Sequence, residues 1–295
     1  MPILLKNLID RNYLIKESRS VKIDENQVKG MLYKNCNDSL AQYQDGNALY
    51  RALRQKGYDK QSNAYYINPT GEERTSRDTN NLYTALFSTL PSWQEYPKRS
   101  YSIFMLNSAV GVDDYGSYIY YVFAYDGAKF AQCSVKDLLL PGGLPYADSV
   151  LRLKDHNYTA NFADLRDFIK FVNYDFYMKW FGNKGQNYIQ LGNIDEFLND
   201  LNEVFNIDVL TTLYDKLAST GVDKYNTELI KKYIEILPKN SSKPWYDFFN
   251  DILDPKKNKI GLYNIDNLNY RDMLETWTDS ECILVKYDSN ILSNL

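Results

Sequence analysis

The chain holds one histidine, His156, and three cysteines, Cys36, Cys133 and Cys282, among 295 residues. One histidine rules out the histidine-based zinc motifs by count. A Ser-His-Asp or Cys-His site would have to use it. It stands in the polar stretch Lys154-Asp155-His156-Asn157 with no nucleophile turn beside it, and it reads as an exposed loop residue. The cysteines are odd in number and far apart, so they make neither a metal-ligand spacing nor a disulfide framework. A reducing, cytoplasmic compartment is expected. There is no Walker A loop and no G-x-G-x-x-G after a strand. No apolar run approaches the ~20 residues of a membrane span. The opening, Met1-Pro2-Ile3-Leu4-Leu5-Lys6 with Asp10 and Arg11 soon after, is expected to be neither a signal nor a transit peptide. The Lys-Arg runs are short: Lys98-Arg99, Lys231-Lys232 and Lys256-Lys257 each read as a solvated face. A net charge of −4 argues against a general affinity for nucleic acid, while leaving room for a local basic groove.

What is present is ordinary globular material. Apolar residues make up 44% and charged residues 24%, enough for a sizeable core. The length suits one large domain, or a core with an inserted lobe. By elimination, any chemistry rests on Arg, Ser, Tyr and carboxylates.

Periodicity divides the chain. Residues 26–43 read as one helix, with Val28, Met31, Leu32, Leu40 and Tyr43 on a face. Asp45-Gly46-Asn47 stops it, and a strand follows over 48–54. Residues 59–80 are polar and read as a long loop. A short helix over 82–87 stops before Pro91. Strands are predicted over 100–106 and 119–125, with Asp126-Gly127 as a hairpin turn into a return strand over 129–135. Beyond residue 160 the period turns helical, over 162–181, 194–205, 209–217, 227–237 and 245–253, and strand-like sequence returns only near 275–287. The expected fold class is α+β, a mixed β core with an inserted all-helical lobe. The expected division is 1–158 and 258–295 for the core and 159–257 for the insertion.

Three short segments carry the candidate chemistry. In Leu49-Tyr50-Arg51-Ala52-Leu53 alternation puts Arg51 on the side of Leu49 and Leu53. Arginine on an apolar face is costly unless paired, and its planar fork suits a phosphate or a carboxylate. A buried pair with an acid is the plain alternative. Ser100 and Ser102 share one face of the strand expected after Pro97, where hydroxyls can bond a ribose or orient a carboxylate. Glu275, in Met273-Leu274-Glu275-Thr276-Trp277, can stabilise an oxocarbenium-like cation or activate a nucleophile. Its plain alternative is an exposed carboxylate, and Asp272 and Glu281 are rivals by residue type.

Leu49-Tyr50-Arg51 resembles the Leu-Tyr-Arg-Gly strand of the ADP-ribosyltransferases of the Arg–Ser–Glu class, with Ala52 where many members carry Gly. Ser100-Tyr101-Ser102 is similar to their Ser-Thr-Ser segment. Met273-Leu274-Glu275 occupies the place of their Glu-x-Glu motif, ahead of a turn and the strand Ile283-Leu284-Val285. The resemblance covers about half the chain. It implies a β core of ADP-ribosyltransferase type and NAD as the substrate that donates ADP-ribose. It gives Arg51 the NAD phosphate or ribose, Ser102 (with Ser100) the support of the site, and Glu275 the catalysis of transfer. Tyr83 and Phe104 are implied stacking partners of the nicotinamide. The implied partners are a macromolecular acceptor, protein or nucleic acid, and an inhibitor or antitoxin protein, as for phage or bacterial toxin and defence enzymes. Met273 replaces the first Glu of the motif, which argues against arginine as acceptor. Lys98, Arg99, Arg74 and Arg77 are candidates for a basic rim facing a nucleic acid, with a solvated face as the plainer option.

Two other classes fit the same sequence. One is a non-enzymatic interaction or structural protein on an α+β scaffold, its tyrosines and helical lobe serving contacts. The other is a carboxylate-pair hydrolase using Asp113-Asp114 and Glu275.

Overall fold

A computed structural model describes residues 20–53, 62–71, 73, 81–112, 115–138, 142–151, 162–182, 188–221 and 224–293. Arg54, Arg74, Arg77, Asp113, Asp114 and His156 lie outside them. The fold is mixed α and β with an antiparallel sheet. The chain forms two compact units, one of residues 1–79, 97–132 and 262–295, the other of 80–96 and 133–261.

The first unit is built on β-branched and aromatic runs of period two. Its strands are β1 (Ser20–Lys22), β2 (Tyr50–Leu53), β3 (Ala64–Ile67), β4 (Ile103–Leu106), β5 (Tyr118–Ala124), β6 (Phe130–Gln132), β7 (Gly261–Tyr263), β8 (Glu275–Thr278) and β9 (Cys282–Lys286), in the sheet order β1-β3-β9-β5-β2-β4-β8-β6-β7. Alternation gives the sheet two apolar sides. Leu49, Leu53, Ile103, Met105, Tyr120, Val122 and Leu284 pack on one. Phe123, Ile283 and Val285 pack on the other, under Val28, Leu32 and Leu40. The last three come from two helices, α1 (Glu25–Asn35) and α2 (Asn37–Gln44).

One helix was expected over 26–43, and the chain instead breaks at Cys36, whose φ of −133° leaves the helical region. Tertiary bonds account for the break. Cys36 Sγ donates to Phe123 O at 3.6 Å and Ser39 Oγ to Ala124 O at 2.9 Å. The Asp126 carboxylate caps the new helix start, accepting from Asp38 N at 2.9 Å and Asn37 Nδ2 at 3.0 Å. A distant carboxylate does there what an N-cap side chain usually does. A second correction concerns the turn at the same residue. Asp126-Gly127 does turn the chain, with Gly127 at φ +77° and Ala128 N bonded to Tyr125 O. No hairpin results, because β6 pairs with β8 while β5 lies between β9 and β2.

The second unit carries the helices α3 (Leu82–Thr89), α4 (Pro145–Leu151), α5 (Phe162–Val172), α6 (Tyr174–Tyr177), α7 (Ile194–Val204), α8 (Ile207–Thr220), α9 (Lys224–Ile236) and α10 (Pro244–Ile252). Its core is aromatic: Phe168, Phe197, Phe205, Trp180, Trp245 and Phe249 are fully buried. The expected boundaries at 159 and 257 differ from this unit in what they leave out. Residues 80–96 and 133–158 also belong to it, through bonds between segments distant in sequence. Asn81 Nδ2 donates to Ile189 O at 2.8 Å and Trp93 Nε1 to Leu253 O at 2.8 Å. Asn258 Oδ1 accepts from Tyr146 N and Ala147 N at the start of α4. The helix expected over 162–181 is divided at Asn173, which caps α6, and ends in a π turn, Met178–Gly182. No described helix is long and apolar enough to cross a membrane.

The first unit holds several acids in their neutral form. Burial, aided by Asp126, pushes the Cys36 thiol from 9.0 to about 12. Burial and the hydrogen bond to Glu281 push Tyr66 from 10.0 to about 12. Burial raises Tyr121, Tyr270 and Cys282 as well. Above the ordinary values the unfolded chain therefore binds fewer protons than the native one. The slope of stability against pH is negative there. The denaturation midpoint in urea is expected to hold up to pH 9.0 and to fall as pH rises towards about 12. A midpoint unchanged across that range would contradict the burial of these groups.

Candidate active site

The site segments lie on, or lead into, three neighbouring strands of the first unit. Glu275 opens β8 directly across from Leu106 of β4, with Trp277 across from Phe104. Its approach is pinned by two amide side chains. Asn107 Oδ1 accepts from Leu274 N at 2.8 Å. Gln132 accepts from Asn269 N at 3.0 Å and donates to Asn269 O and to Thr276 Oγ1. Glu275 is 7% exposed, so the plain alternative of an exposed carboxylate fails.

Its partner is Arg99. Arg99 Nη2 lies 2.6 Å from Glu275 Oε1, and Arg99 is 6% exposed. The guanidinium lies over two rings, 4.4 Å from the Phe104 centroid and 4.8 Å from that of Trp277, rings themselves 6.1 Å apart and near parallel. Such a stack satisfies a cation that water does not reach. Backbone bonds bring Arg99 there. Trp277 Nε1 donates to Pro97 O at 3.2 Å, and Asp279 Oδ2 accepts from Lys98 N at 3.0 Å. Residues 97–99 are thus stapled, one after another, to Trp277 and Glu275 of β8 and to Asp279 just beyond it. The solvated face expected at Lys98-Arg99 is corrected accordingly: Arg99 is interior and belongs to no basic rim.

The serines are also placed differently from expectation. Residues 100–102 do not form strand. Arg99–Tyr101 is a 3-10 turn, and β4 begins only at Ile103. Ser100 and Ser102 therefore share no strand face. Ser102 Oγ donates to Lys98 O at 2.8 Å and so braces the turn that delivers Arg99. Ser100 is fully buried. Register separates both from Glu275, which stands across from Leu106, four residues beyond Ser102.

Arg51 sits on β2 across from Tyr120, and β2 meets β4 at a single rung, Tyr50 to Leu106. Past that rung Arg51 Nη1 donates to Phe104 O at 2.9 Å, a side chain in place of a ladder bond. Because cross-strand partners share a side, Arg51 leaves the sheet on the side of Tyr120 and Met105. Glu275 leaves on the side of Tyr50 and Leu106. Of the two stacking candidates, Phe104 presents its face to Arg99. Tyr83 belongs to the second unit, buried in α3 with its ring 6.3 Å from that of Phe87. No group of histidine, cysteine and acidic residues among the described residues can hold a metal ion.

Arg99 is the residue that sequence reasoning missed. Its signals were indirect. Glu275 and Trp277 are two apart and so share a side, and an arginine just before a strand is well placed to reach such a pair. Only the register of β4 on β8 turns those facts into a contact. Comparison with protein-family models, curated proteins and solved structures finds no match.

Proposed function

We propose that the first unit is an NAD-dependent mono-ADP-ribosyltransferase of the Arg–Ser–Glu class, with an α+β core of that type, acting on a protein or nucleic-acid acceptor. One observation carries it: the Arg51, Ser102 and Glu275 segments, far apart in the chain, lie on or lead into the adjacent strands β2, β4 and β8. In the reaction, the bond from ribose C1′ to the nicotinamide nitrogen breaks and its electron pair leaves with neutral nicotinamide. The acceptor nucleophile bonds to C1′ and gives up a proton. Glu275 answers the positive charge that develops on the ribose. Arg51 offers its fork to a phosphate. The two leave the sheet on opposite sides of the Tyr50–Leu106 rung, an arrangement that favours the second reading below. Ser102 supports the site through the turn at 97–102, and Met273 argues against an arginine acceptor.

A second reading is an interaction protein without catalysis. It is favoured by the Arg99–Glu275 contact, which makes sense as a structural pair. Incubation with NAD labelled in the adenylate, cell extract and total RNA separates the two. Label is expected on a macromolecule, with release of nicotinamide. Absence of both turnover and NAD binding would favour the interaction protein.

A further inference from the structure

We propose that Arg99 is the positioning residue of Glu275, an inference that rests on the transferase reading above. The carboxylate is buried and one of its oxygens rests against a fixed cation. Its strand is held by Asn107 and Gln132, and Oε1 is held by Arg99 Nη2 at 2.6 Å. Arg99 in turn is fixed by three independent restraints: the faces of Phe104 and Trp277, the staple of Pro97 and Lys98 to Trp277 and Asp279, and the Ser102 bond that closes its turn. A guanidinium resting on two neighbouring ring faces is held in place, and so is the carboxylate oxygen in contact with it. Pre-set orientation of a charged group is worth rate, because nothing has to reorganise when charge develops on the ribose. The serine segment then acts on catalysis at one remove. Ser102 holds the turn, the turn holds Arg99, and Arg99 aims Glu275.

The role predicts a split between rate and binding. With water as acceptor, the C1′–nicotinamide bond breaks with its pair going to nicotinamide. Water oxygen bonds to C1′ and the surplus proton passes to solvent. Nicotinamide release by the full-length protein is the readout. Arg99→Ala is expected to lower kcat roughly 100-fold and to leave the KM for NAD within about twofold, as for a lost transition-state interaction. Millimolar guanidinium is expected to restore part of that kcat by reoccupying the place over Phe104 and Trp277. Arg99→Lys keeps the charge but loses the plane, and is expected to fall between wild type and Arg99→Ala. It serves for the same comparison if Arg99→Ala does not fold. A folded variant with wild-type kcat, or one whose KM rises while kcat stays, would overturn the positioning role and leave the transferase reading standing. A wild-type protein that releases no nicotinamide would overturn both.

Discussion

Replacing Glu275 by Gln is expected to lower nicotinamide release from NAD by roughly 100- to 1,000-fold, with the KM for NAD little changed. Gln keeps the shape of the side chain and an oxygen in place of the one 2.6 Å from Arg99 Nη2. What it removes is the negative charge. That charge matters little to the ground state of NAD and much to the ribosyl cation, so the loss falls on kcat. The fold should survive, because the Arg99 guanidinium keeps both ring faces, at 4.4 Å and 4.8 Å, and a polar oxygen beside it. Steady-state kinetics beside a thermal melt makes the comparison. A folded Gln variant as fast as wild type would remove Glu275 from the mechanism and leave the three-strand arrangement without its catalyst.

The parts of this architecture that sequence reveals are those governed by local pattern. Apolar alternation locates β5 within a residue at each end, and the helical period locates α7, α8, α9 and α10 closely. What it does not reveal depends on which segments meet. The turn at Asp126-Gly127 has hairpin chemistry, but its strands do not pair, because β6 lies on β8 and β5 between β9 and β2. The extent of the helical unit depends on Asn81, Trp93 and Asn258 bonding to segments far along the chain. The candidate site divides the same way. Arg51 and Glu275 were visible as charges in apolar runs. Burial of Arg99 was hidden because Lys98-Arg99 looks like any exposed basic pair. Its neighbours in space, Phe104, Trp277 and Asp279, come from the next strand and from the turn after it. A residue's own segment shows that it carries a charge; only the register of β4 on β8 shows which charge it meets.

Arg99→Met is expected to cost about 3–5 kcal/mol of unfolding free energy, because it leaves a buried carboxylate without its cation. Met is the severe but fair test. It fills much of the space over Phe104 and Trp277 and makes sulfur contacts with the rings, so a large loss would report charge rather than a cavity. The contrast with Glu275→Gln follows from the surroundings. A cation without its carboxylate still has two aromatic faces, whereas a carboxylate without its cation has a side chain only 9% exposed and little water to turn to. Combining Arg99→Met with Glu275→Gln should therefore recover most of the loss, giving a coupling of the two sites well outside additivity. Urea unfolding of the four proteins completes the cycle. If the two changes simply add, the contact between Arg99 and Glu275 contributes nothing to stability, and the staple of residues 97–99 to β8 rests on Trp277 and Asp279 alone.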